Sequence, residues 1–146
     1  MDVGMMMIFA SYGWENCSDK QVWDEDIRLA RLAADLGFDC LWSAEHHFND
    51  YSFVPDNLAL MTHLAALCPN VDVGTAAVIV PWHDPLRVAE NAAVLDMLSN
   101  GRLRLGLGRG QALRPDQGRP DRRHPDLPLA VPDQLPGVRR QHLPQP

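Results

Sequence analysis

The chain has 146 residues, enough for one ordinary domain, with a normal 46% of hydrophobic residues and a formal net charge of −6. Residues 1–110 hold seven Lys/Arg against fifteen Asp/Glu, while residues 111–146 hold six Arg against four Asp. The acidic body argues against nucleic acid and anionic membranes as partners. Three widely spaced cysteines, Cys17, Cys40 and Cys68, with no C-x-x-C between them, point to reduced thiols and a cytoplasmic setting rather than a disulfide framework. The N-terminal stretch is apolar but short, lacks basic residues at its start and carries Asp2, so no signal peptide is expected. No apolar run approaches the ~20 residues that cross a bilayer.

In chain order, residues 3–10 read as a buried strand that ends at Ser11-Tyr12-Gly13. Continuous apolar character suits a parallel strand covered on both faces. Ser18-Asp19 offers an N-cap for a helix running to about Leu36, with Glu25 and Asp26 near its start. Asp24, Arg28, Arg31 and Asp35 form a charged stripe on that helix, and Trp23, Ile27, Ala30 and Ala34 lie opposite. Gly37 ends it. A second strand covers residues 40–44 and carries Glu45-His46-His47-Phe48 at its C-terminal end. A loop with Asn49, Asp50 and Pro55 leads to a helix over residues 57–67, broken by Pro69-Asn70. Residues 71–80 read as one strand, followed by a Pro81-Trp82-His83 loop. Asp84 caps a helix over residues 85–98, with Pro85 at its first position, and Ser99-Asn100-Gly101 stops it. Residues 102–107 form the fourth strand, ending at Gly108-Arg109-Gly110.

The order β-α-β-α-β-α-β implies right-handed βαβ units and a parallel sheet. Both a doubly wound sheet and the first half of a (β/α)₈ barrel fit. Both keep their sites at the C-terminal ends of the strands, where the polar and glycine-rich residues gather here. Beyond Gln111 the pattern fails. Eight prolines, from Pro115 to Pro146, interrupt every possible element, and Arg, Gln, Asp and His fill the gaps. The expectation is a 1–110 barrel-type domain and a disordered 111–146 tail, read as the product of a frameshift after about Gly110, with a genuine Pro-rich interaction tail as the alternative.

Several residues invite a chemical reading. His46 and His47 stand where a barrel active site would lie, and imidazole is the commonest acid–base group near neutral pH. The plainer reading is two hydrogen-bonded loop residues. Glu45, His46, His47 and His83 are also ligand types for a metal. Adjacent histidines at a strand end point in opposite directions, however, and there is no H-E-x-x-H, so no metal is expected. Gly74-Thr75-Ala76-Ala77 puts small side chains in mid-strand, which suits either close packing or a flat ring laid against them. Gly106-Leu107-Gly108-Arg109-Gly110 lets a fixed cation approach a phosphate, but it is not G-x-G-x-x-G.

Taken together and in order, these segments resemble one family. Residues 37–42 (GFDCLW), 45–48 (EHHF), 73–78 (VGTAAV), 83–87 (HDPLR), 96–102 (DMLSNGR) and 106–110 (GLGRG) are similar to the bacterial luciferase-like, flavin-dependent monooxygenases, over about residues 3–110. The resemblance implies a (β/α)₈ TIM barrel, of which this chain would hold the N-terminal half. It implies reduced FMN from a separate flavin reductase, with the deazaflavin F420 less favoured by the Glu-His-His pattern, and O₂ as co-substrate for oxygenating a small organic molecule. It also implies homodimers, as full-length relatives often form. His46 matches the family's catalytic histidine, Ala76-Ala77 a non-prolyl cis peptide beneath the flavin ring, and Arg109 an arginine near the flavin phosphate. Gly108 stands where luciferase itself has a cysteine, so light emission is not implied. A full barrel needs roughly 250 residues. The expectation is therefore a truncated chain, inactive alone and binding flavin weakly, with a non-catalytic or partner-binding remnant as the alternative.

Overall fold

The structure, a computed structural model, describes residues 1–12, 16–47 and 51–110. The expected tail falls in residues 111–146, outside the described residues.

Four strands run parallel in the order β1 (Gly4–Met7), β2 (Cys40–Ser43), β3 (Asp72–Thr75) and β5 (Leu103–Arg104). Each is joined to the next through a helix: α1 (Asp19–Asp35), α2 (Asn57–Leu67) and α3 (Pro85–Leu98). A second, two-stranded parallel ladder pairs β4 (Val78–Ile79) with β6 (Leu107–Gly108) just past the ends of β3 and β5. This is the βαβ architecture expected, with successive strands adjacent in the sheet.

The helices form because their ends are specified chemically as well as by pattern. Ser18 closes a capping box with Gln21 on α1. Asp56 caps α2 by accepting from the Ala59 amide at 3.0 Å. The Asp84 side chain accepts from the Leu86 amide at 2.8 Å, with Pro85 at the first position of α3. The charged stripe of α1, with Asp24, Arg28, Arg31 and Asp35, is exposed, and Ala30 is buried on the other side.

Because strand register is in step, side chains sort into two faces. Met7, Leu41 and Val73 are buried in one core with Ala30 and Ala33 of α1, Leu64 of α2 and Leu95 of α3. The opposite face carries Met6, Trp42 and Arg104, aligned in one row with Gly74. Here the Trp42 indole lies flat across its neighbours. A Cβ at Gly4 would sit 2.5 Å from its Nε1, and one at Gly74 would sit 2.5 Å from its Cε3. The flat ring that rests against Gly74 is thus the protein's own tryptophan. The N-terminal ends of the strands are tied by Arg102, whose guanidinium donates to the carbonyls of Ala65 (2.9 Å) and Cys68 (3.1 Å) near the end of α2, to Ser99 O (2.7 Å) after α3, and to Val71 O.

All four strands differ from their expected lengths, the second only by ending at Ser43. The first ends at Met7 rather than residue 10, because Phe9 adopts φ +53°. The Asp26 carboxylate holds that turn by accepting the Phe9 amide at 2.7 Å, and Phe9 is fully buried against Trp23. Burial raises the Asp26 pKa, and the Phe9 hydrogen bond opposes it. The expected strand over 71–80 is two strands broken at the cis Ala76–Ala77 peptide, followed by a 3₁₀ turn, Val80–Trp82. The expected strand over 102–107 also divides, into β5 and β6.

Candidate functional site

The segments that break the long strands form a shelf at the C-terminal end of the sheet. The Ala76 amide donates to Ser43 O at 2.8 Å, and the Val78 amide to Gly106 O at 2.9 Å. The Thr75 hydroxyl donates to Gly106 O at 2.9 Å and accepts from Gly106 N at 3.0 Å, so one side chain closes both of that glycine's polar groups. A Cβ on Gly106 would stand 2.2 Å from Thr75 O, which leaves glycine alone able to fit. Gly108 is also close, since its Cβ would lie 3.3 Å from the Ala77 methyl. Ala76, Ala77, Gly106 and Gly108 thus meet as a surface with almost no side chain. Arg109 follows directly. It is exposed and makes no ion pair among the described residues.

Beside this shelf, side chains alternate along residues 45–47 as they do along a strand. His46 turns toward Tyr51, with ring centroids 5.4 Å apart and the rings nearly perpendicular. Glu45 and His47 turn the other way. The Glu45 carboxylate has no exposed surface. Its Oε2 accepts the Ile79 amide at 2.8 Å, while its Oε1 lies 2.7 Å from His47 Nε2 and 2.8 Å from His83 Nε2. Trp82 stacks on the His47 ring at 4.7 Å and 9°. Of the four potential ligands, three therefore converge and His46 stands apart. Both imidazole nitrogens aim at one carboxylate oxygen at hydrogen-bonding distance, an arrangement that a metal ion would have to open before entering.

Sequence reasoning placed His46 and Arg109 at strand ends but Ala76 and Ala77 in mid-strand; the structure instead puts the two alanines just past the end of β3, against the segment that carries Arg109. His46 stands three residues beyond Ser43, whose carbonyl receives Ala76. The reasoning missed Thr75 as the clasp on Gly106 and Glu45 as a shared acceptor. For Glu45 the signal was available in part, because i and i+2 share a side at a strand end.

The three cysteines are unpaired, with Cys40 and Cys68 buried. Burial pushes the Cys40 thiol up to about 11 and raises that of Cys68. Among the described residues, no helix is long and apolar enough to cross a membrane.

Comparison with known proteins places these features in context. The luciferase-like monooxygenase family matches residues 1–128. The oxygenase component of a flavin-dependent trigonelline monooxygenase from Acinetobacter baylyi is 36% identical over 93 residues, which is 64% of this chain and 26% of that protein. The monooxygenase RslO1 from Streptomyces bottropensis superposes with a TM-score of 0.69 at 34% identity, over 80% of this chain and 35% of that one. The oxygenating constituent of 3,6-diketocamphane monooxygenase from Pseudomonas putida, a type II Baeyer–Villiger enzyme solved with FMN, gives a TM-score of 0.68 at 26% identity over 77% of this chain and 30% of that one. The chain thus spans about a quarter to a third of the length of the proteins it matches.

Proposed function

Because the chain belongs to the luciferase-like monooxygenase family, we propose that it supplies the flavin-binding strand ends of a two-component monooxygenase. That enzyme uses reduced FMN from a separate reductase, together with O₂, to oxygenate a small organic substrate. The observation that carries this reading is the bare shelf of Ala76, Ala77, Gly106 and Gly108, followed at once by Arg109, which makes no ion pair among the described residues. A flat isoalloxazine needs such a surface, and a phosphate needs a fixed cation that is not already neutralised. When bound, reduced flavin would supply the electrons that activate O₂. Arg109 would hold the phosphate, Ala76 and Ala77 would floor the ring, and His46, steadied by Tyr51, would move protons beside it.

FMN is preferred to F420 on two grounds. The diketocamphane enzyme, which shares the fold, was solved with FMN, and the Glu45-His46-His47 sequence favours that branch. That the trigonelline relative is the oxygenase component of its monooxygenase supports a reductase partner. A homodimer and a cytoplasmic location complete the proposal.

A second reading has its own support. On the sheet face opposite the helices, Met6 keeps 45% of its surface exposed. In a closed barrel that face looks inward, so the residues described here offer one wall of a cavity. Under this reading the chain alone is a non-catalytic or partner-binding fragment. Oxygen-dependent NAD(P)H consumption above the reductase-only rate, measured with the chain and a flavin reductase, supports the first reading. Its absence despite tight flavin binding supports the second.

A further inference from the structure

Glu45 has no place in the scheme above, yet it is the buried hub of this end of the molecule. Its carboxylate is fully covered and no Lys or Arg pairs with it among the described residues. A buried carboxylate without a cation persists only if donors replace its water. Three groups are in reach: the Ile79 amide on Oε2, and His47 Nε2 and His83 Nε2 on Oε1.

We infer that Glu45 is a positioning residue that fixes His47 and His83 in the Nε2–H tautomer and pins β4 beside the Ala76–Ala77 shelf. An ionised carboxylate has no hydrogen to give, so any ring nitrogen held against it must carry one. Two imidazoles from distant parts of the chain are then forced into the same tautomer by a single oxygen. The Trp82 ring, stacked on His47, keeps that imidazole from rotating away. Oxygen Oε2 meanwhile fixes Ile79, whose strand β4 pairs with β6 and so carries the register between the shelf and Gly108. The link from this clamp to flavin rests on the function proposed above; the clamp itself does not.

The experiment is nitrogen-15 NMR of the histidine side chains in the full chain without flavin, at a pH where the imidazoles are neutral. Nε2–H signatures are expected for both His47 and His83. Glu45→Gln keeps shape, but the Ile79 amide can only donate and so takes the remaining oxygen, which turns the NH₂ group toward the two imidazoles, and at least one of these rings should convert to Nδ1–H. His83→Asn is the second variant and should leave His47 as Nε2–H, because its acceptor remains. Nδ1–H signatures in the wild-type chain, or unchanged tautomers in Glu45→Gln, would overturn the inference. In parallel, Glu45→Gln should weaken reduced FMN binding roughly tenfold, the effect of one charge-assisted hydrogen bond. Converted tautomers with unaltered FMN affinity would overturn the positioning role. Failure of the wild-type chain to bind FMN contradicts the proposed function, while the tautomer result still decides whether Glu45 is the clamp.

Discussion

The helical side of the sheet and the C-terminal ends of its strands are held together by different physics. Between the helices and β1–β3, stability comes from apolar area: Met7, Leu41, Val73 and Leu64 are almost wholly buried in one apolar cluster. At the shelf of Ala76, Ala77, Gly106 and Gly108 the side chains are small and offer little area to bury. Order comes instead from directional bonds made by a few polar groups: Thr75 on Gly106, Glu45 on Ile79 and two histidines, Ser43 O on Ala76. Apolar packing tolerates small adjustments in shape, whereas a hydrogen-bonded clasp requires particular atoms at particular places. The first region sets whether the chain folds. The second sets whether the shelf has the right form.

The largest effect should follow a cut into the packed side. Leu64→Ala leaves a cavity between α2 and the sheet and should lower stability by about 2–5 kcal/mol, read from urea unfolding. A loss under about 1 kcal/mol would mean that the helical side is loosely packed, and the contrast between the regions would fail. Thr75→Val comes next. The substitution keeps volume and β-branching but removes both bonds to Gly106, leaving its amide without that acceptor. A loss of about 1–3 kcal/mol is expected, accompanied by weaker binding of reduced FMN, whereas Leu64→Ala should spare binding in whatever fraction stays folded. Equal effects of the two variants on binding would erase the distinction.

How much of this was legible in the sequence follows the same division. The second and third helices fall on residues 57–67 and 85–98 as expected, because the caps Asp56 and Asp84 and the stop at Asn100-Gly101 are local chemistry. The strands after them were read too long. Residues 71–80 are apolar almost throughout, and their pattern does not show that the chain breaks at Ala76–Ala77 and resumes in a different ladder; only the family resemblance pointed to the cis peptide found there. The break is completed by Thr75 meeting Gly106, 31 residues away, which only the fold brings about. Glu45 and His47 could be placed together by parity, but His83, 38 residues beyond Glu45, could not. Gly74 was read for what might lie on it, and its occupant, Trp42, comes from the neighbouring strand.

The smallest effect concerns Cys40, the first residue of β2, at the end of the strand away from the shelf. Burial lifts its thiol to about 11, so the reactive thiolate should be scarce until the solution becomes strongly alkaline. In the native chain at pH 8, mass spectrometry after brief alkylation should find Cys17 modified ahead of Cys40 and Cys68. Early labelling of Cys40 would show that this part of the sheet opens readily and is not the firm base that the strand ends require.

The central claim is that the shelf and Arg109 form a binding site for reduced FMN. The most direct measurement is an anaerobic titration of the full chain with reduced FMN, followed by protein fluorescence, beside the Arg109→Ala variant. Saturable binding that weakens roughly tenfold or more without the guanidinium, the worth of a charge-assisted phosphate contact, is the predicted result. No saturable binding, or binding indifferent to Arg109, would contradict it.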